Sequence, residues 1–91
     1  MEDSFKDFEE FSDNLSRGGE IEFEYKGHKY SVTHINITPE EDVVTFFDVT
    51  LQIDRIYRIR NGDYSGIGEY IIEGKPLKSV VDKLDITFRC F

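Results

Sequence analysis

The side chains best suited to hold a metal or attack a substrate are His28, His34 and Cys90. A zinc site draws its ligands from closely spaced pairs, because one short turn then presents two donors to the same ion. No C-x-x-C or H-x-x-x-H spacing occurs here, so the three do not read as a metal set. A nucleophile–base pair made of Cys90 and His34 has no supporting motif either. Cys90 suits a small apolar role, His28 a surface place beside a turn, and His34 a β-bulge. Carboxylates are abundant, yet none has a context that marks a buried pair with divergent pKa values. The expectation is therefore a protein that is not an enzyme, with no catalytic, cofactor-binding or metal-binding residue and no cofactor.

Gly62, Gly66 and Gly68 lack the Walker spacing of a phosphate loop and read as turn glycines. Arg55, Tyr57, Arg58 and Arg60 interleave bases with an aromatic ring, as single-strand nucleic-acid platforms do. The chain as a whole, however, carries a formal charge of −8. Nucleic acid and anionic membranes both require a positive footprint, so neither is expected as a direct partner. The arginines are then expected to pair with the chain's own acids or to face a protein.

The negative charge is unevenly spread. Residues 1–48 hold 13 of the 19 acids against four bases, a balance of −9, while residues 49–91 balance at +1. Glu20, Glu22 and Glu24 alternate along one strand and so share one face, at about 6.6–6.8 Å per two-residue step. That interval is close to the separation of successive phosphates along a nucleic-acid strand. Asp7, Glu10 and Asp13 on a helix, and Glu40, Glu41 and Asp42 at a turn, are candidates to extend the field. The charge pattern points to a small acidic binding protein whose partner is a protein with a basic surface. Its leading form is an inhibitor of a nucleic-acid-handling enzyme, of the anti-CRISPR or anti-defence type that phages and mobile elements encode. An immunity protein or antitoxin that neutralises a cognate bacterial toxin is the alternative. The expected state is a monomer or weak dimer.

Local elements must position these acids. Phe5, Phe8, Phe11 and Leu15 recur at helical spacing, with Ser4 as the expected N-cap and Gly18-Gly19 as the stop. Lys6, Asp7, Glu10, Asp13 and Asn14 are expected on the opposite, polar face. The segment from Glu20 to Thr33 reads as a β-hairpin around a Lys26-Gly27 loop. Its paired residue numbers then sum to 53, which sets Phe23 against Tyr30, Ile21 against Val32 and Glu24 against Lys29. After Thr33 the apolar phase slips to Ile35 and Ile37, which suggests the bulge near His34. Val43, Thr45, Phe47, Val49, Leu51 and Ile53 alternate along a third strand. That strand runs on through RIYRIR, too long for one element, so a break is expected near Asp54. Residues 54–75 are not otherwise readable. Pro76 opens a second helix carrying Leu77, Val80, Val81 and Leu84, and Ile86, Phe88 and Cys90 alternate along a closing strand.

The head FxxF…GGEIEFEYKGHKYSVT and the tail IIEGKPLKSVVDKL resemble small acidic proteins of low-GC Gram-positive bacteria and their mobile elements. The resemblance covers about half the chain, at its two ends, and residues 38–70 depart from it. It implies a fold and a bacterial origin and carries over no functional residue.

These signals give an α+β fold in the order α-β-β-β-(β)-α-β, an antiparallel sheet of about four strands with two helices on one face. Ninety-one residues suit a single domain, 1–91. A lone cysteine precludes an internal disulfide, and no apolar run approaches the roughly 20 residues that span a bilayer. The acidic start MEDSFKDFEE lacks the basic-then-apolar order of a signal peptide, so a cytoplasmic location is expected.

Overall fold

The computed structural model describes residues 4–89. Helix α1 spans Phe8–Ser16 and is followed by strands β1 (Ile21–Tyr25), β2 (His28–Thr38), β3 (Glu41–Asp48) and β4 (Ile53–Arg60). A 3-10 turn at Ser65–Glu69 leads into a small hairpin, β5 (Ile71–Ile72) and β6 (Lys75–Pro76). Helix α2 (Leu77–Val80) runs into a second 3-10 turn, Val81–Lys83, and β7 (Asp85–Arg89) closes the fold. The five long strands form one antiparallel sheet in the order β4-β3-β2-β1-β7, and β5 and β6 pair only with each other. The fold is thus α+β with an antiparallel sheet and two helices. The sheet is wider than the four or so strands expected, because the long apolar run after Asp42 folds back on itself as β3 and β4.

The β1–β2 register is the one that the two-residue loop dictates: Phe23 opposes Tyr30, Ile21 opposes Val32 and Glu24 opposes Lys29. Lys26 and Gly27 both have positive φ, 50° and 81°, the geometry whose twist matches the flanking strands. At the start of α1 the cap is Asp7, not Ser4: its carboxylate accepts the Glu10 N–H at 3.0 Å, while Glu10 Oε1 accepts the Lys6 N–H at 3.0 Å. Asp7 outcompetes Ser4 because its three-residue reach to Glu10 closes this reciprocal pair. At the other end Gly18 donates to Leu15 and Gly19 to Asn14, the paired bonds of a Schellman stop, with Gly18 at φ 80°.

Four other features depart from the sequence reading. His34 pairs regularly with Val44, and the bulge lies at Ile37, between the Asn36–Asp42 and Thr38–Glu41 pairs. The apolar phase slips because His34 itself occupies an inward position and leaves Ile35 and Ile37 exposed. On β3 the buried residues are Val44, Phe46 and Asp48, not the Val43, Thr45 and Phe47 set. The break before β4 comes earlier than Asp54: Gln52 has φ 58° and donates to the Asp48 carbonyl, and the Asp48 carboxylate accepts from Leu51. Asn14, expected on the polar face of α1, is buried at 1% exposure.

Both helices contribute to one core on one face of the sheet. Phe11 stacks over Phe46 and meets Phe23 edge-on, and Leu77, Val80 and Leu84 close the same cluster. Because side chains alternate across a strand, the residues between these inward ones stand on the other face. None of the described helices lies there, and that open face positions the acidic row.

Candidate functional site

The open face is built from alternate residues of four adjacent strands. Glu22 and Glu24 project from β1, Ser31, Thr33 and Ile35 from β2, and Val43, Thr45 and Phe47 from β3. From β4 come Asp54, Ile56 and Arg58. The pairing aligns them in rows across the sheet: Glu22, Ser31, Phe47 and Asp54 form one, and Thr33, Thr45 and Ile56 the next. The central strands present Phe47 and Val43 among the hydroxyl side chains of Ser31, Thr33 and Thr45, with Glu22 and Glu24 on β1 and Asp54 on β4. Hydrogen-bonded strands hold β1 on both sides, so Glu22 and Glu24 stand on rigid backbone. Glu22 faces Ser31 on one side and Phe88 of β7 on the other.

The nine acids of the expected binding surface are distributed over three places. Glu22 and Glu24 lie on β1 as read, Glu22 exposed and Glu24 half-buried, and Glu20, also exposed, immediately precedes the strand. Asp7, Glu10 and Asp13 lie on α1, across the sheet from Glu22. Asp7 and Glu10 cap that helix, and Asp13 pairs with Arg17 at 3.0 Å. Glu40 is exposed at the β2–β3 turn, whereas Glu41 is held by Arg58 at 3.0 Å and Arg60 at 3.5 Å. Asp42 turns inward. Cys90 lies outside the described residues.

Asp42 belongs to a buried network that no local motif announced. The Tyr64 hydroxyl donates to Asp42 Oδ2 at 2.8 Å and lies 3.0 Å from His34 Nε2, which is itself 3.2 Å from Asp42 Oδ2. The His34 side chain is only 2% exposed. An Nε2–H tautomer fits, donating into the pair while Nδ1 has no hydrogen-bond partner. Burial, then the bond to Asp42 and its charge, push the Tyr64 phenol well above its ordinary range. A phenol so held is a weak acid and a weak nucleophile. The three groups bond to one another through Tyr64 Oη, Asp42 Oδ2 and His34 Nε2, and these bonds fasten the segment after β4 to the sheet.

The second histidine forms a comparable tie. His28 Nε2 lies 3.0 Å from Glu73 Oε1 in the β5–β6 turn, and Nδ1 lies 4.0 Å from Asp48 Oδ2. Beside them the Tyr30 phenol is pushed up to about 12, by burial first and then by the charges of Asp48 and Glu73. Tyr70, stacked on Phe46 at 4.2 Å between centroids, is likewise raised to about 12, mainly by burial. Among the described residues no three His, Cys, Asp or Glu side chains form a metal-binding group. No described helix is long and apolar enough to cross a membrane.

Comparison with protein-family models, curated proteins and solved structures finds no match. The reading of function therefore rests on the surface itself. Sequence reasoning found the Glu20, Glu22, Glu24 row because strand alternation is local. It missed both histidine networks, whose partners lie far apart in the chain.

Proposed function

We propose that this chain is a small acidic, non-enzymatic binding protein that inhibits a nucleic-acid-handling enzyme by occupying its basic groove. In this reading it belongs with the anti-CRISPR and anti-defence proteins of phages and mobile elements. The observation that carries the reading is the row of Glu22 and Glu24 on the open face of the sheet, continued by Glu20. Its step of about 6.6–6.8 Å suits the cationic side chains that contact successive phosphates. The row stands on an interior strand, so docking requires no ordering of the backbone beneath it. Phe47 and Ile56 on the same face supply apolar area to bury, and the carboxylates steer approach.

The test is kinetic. With the enzyme captured by the protein, association is measured against ionic strength for wild type and for the triple variant Glu20→Gln, Glu22→Gln, Glu24→Gln. The variant is expected to associate more slowly and with a shallower salt dependence. DNA or RNA bound by the enzyme is expected to compete with the wild-type protein. Equal rates and equal salt slopes, or simultaneous binding of nucleic acid, would overturn the proposal.

A further inference from the structure

The two edges of the sheet are unlike. Among the described residues β7 is five residues long, and its pairing with β1 is interrupted by a register shift between Glu22 and Phe23. Short length and irregularity are standard protections against edge-to-edge pairing. β4 has neither: its eight residues pair with β3 without a register shift, and its charges are Asp54, Arg55, Arg58 and Arg60, of both signs. Ile53 and Ile56 stand 58% and 62% exposed along it.

The phase of the free edge follows from one bond. Asn61 N–H donates to the Glu40 carbonyl at 2.9 Å, so odd-numbered residues of β4 direct their backbone groups toward β3. Asp54, Ile56 and Arg58 then direct theirs away from the sheet, because the direction alternates along an antiparallel strand. The Arg60 carbonyl accepts from Asp63 at 3.1 Å, which ends the free stretch.

We infer that β4 pairs antiparallel with β4 of a second copy of this chain, about a two-fold axis at Ile56, to make one continuous sheet. The strand is complementary to itself in this register. Asp54 opposes Arg58 and Ile56 opposes Ile56 on the open face, while Arg55 opposes Tyr57 and Ile53 opposes Ile59 on the other. Opposite charges, apolar pairs and a cation over an aromatic ring all fall in place together. Shifting the axis to Arg55 sets two arginines against each other and loses the acid–base pair. Three outward residues per strand give about six backbone hydrogen bonds across the axis. The partner's strand also lies against the cleft of about 340 Å³ that Ile53, Tyr57, Tyr70 and Ile71 help to line.

Sedimentation equilibrium of the full chain over a wide concentration range tests the inference. Wild type is expected to form a dimer whose fraction rises with concentration. Ile56→Lys sets two like charges on the axis and is expected to weaken the dimer roughly tenfold or more. Ile56 is exposed, so the monomer stays folded by circular dichroism. Asp54→Arg and Arg58→Asp are each expected to weaken self-association, and their equimolar mixture to recover it, since each then opposes the other's complementary charge. A wild type that stays monomeric at millimolar concentration, a dimer indifferent to Ile56→Lys and Asp54→Arg, or a mixture that fails to recover would overturn the inference.

Discussion

The Tyr64 hydroxyl donates to Asp42 Oδ2 at 2.8 Å, a bond that joins the residue before the 3-10 segment to the start of β3. Both groups are withdrawn from water, and the hydroxyl is also 3.0 Å from the buried His34. The bond accounts for how a glycine-rich stretch with little regular structure is held against the sheet.

Removing that hydroxyl tests the account. Tyr64→Phe keeps the ring and its packing but takes the donor from Asp42. Asp42 keeps His34 Nε2 at 3.2 Å, so the cost is that of one hydrogen bond to a charged acceptor, about 1.5–3 kcal/mol. Urea denaturation of the two proteins measures the difference, and an unchanged midpoint would mean that the network contributes nothing to stability.

The tyrosines set a limit at alkaline pH. Tyr30 and Tyr70 are raised from 10.0 to about 12, and Tyr64 is raised further, in each case mainly by burial. The folded state therefore holds these protons where the unfolded chain releases them. Stability from this source is complete below about pH 10 and falls as pH rises through the folded values. Denaturation at stepwise pH, with tyrosinate absorbance followed in parallel, is expected to show these rings ionising together with unfolding. Ionisation of all five tyrosines near pH 10 in a folded protein would contradict the burial.

Phe23 lies at the junction of helix and hairpin, 1% exposed, stacked on Tyr30 at 5.0 Å and edge-on to Phe11. Phe23→Ala is expected to cost about 3–5 kcal/mol through lost burial and the cavity left behind. For a domain of this size the total is on the order of 5–15 kcal/mol. A thermal melt should show a protein near the limit of folding, and a small shift would place Phe23 outside the core.

Gly18 gives a cleaner backbone test. An added Cβ meets nothing within 4 Å, but the residue holds φ +80°. Gly18→Ala is therefore expected to destabilise by about 1 kcal/mol from conformational strain alone. Asp7→Ala at the opposite end removes the cap and is expected to cost a similar amount, typically about 1 kcal/mol. The two sites are at opposite ends of α1, so the double variant should show the sum. Chemical denaturation measures all three.

The sequence by itself determined whatever depends on neighbours along the chain. A two-residue loop with positive φ leaves one register for its strands, so the pairing of Phe23 with Tyr30 could be read before any fold was known. The helix stop at Gly18-Gly19 and the outward place of Glu20, Glu22 and Glu24 followed for the same reason. Only the tertiary structure decided which side of β3 is buried. Val43 and Phe47 on one face and Val44 and Phe46 on the other are equally apolar, so alternation has no preferred phase. The choice is made by Phe11 of α1, which stacks on Phe46 from a distant part of the chain. The same limit hid His34, whose polar ring is tolerated inside because Tyr64, thirty residues away, supplies a partner. Contacts of that range close only when the whole core assembles, and they leave no periodic trace in the residues that make them.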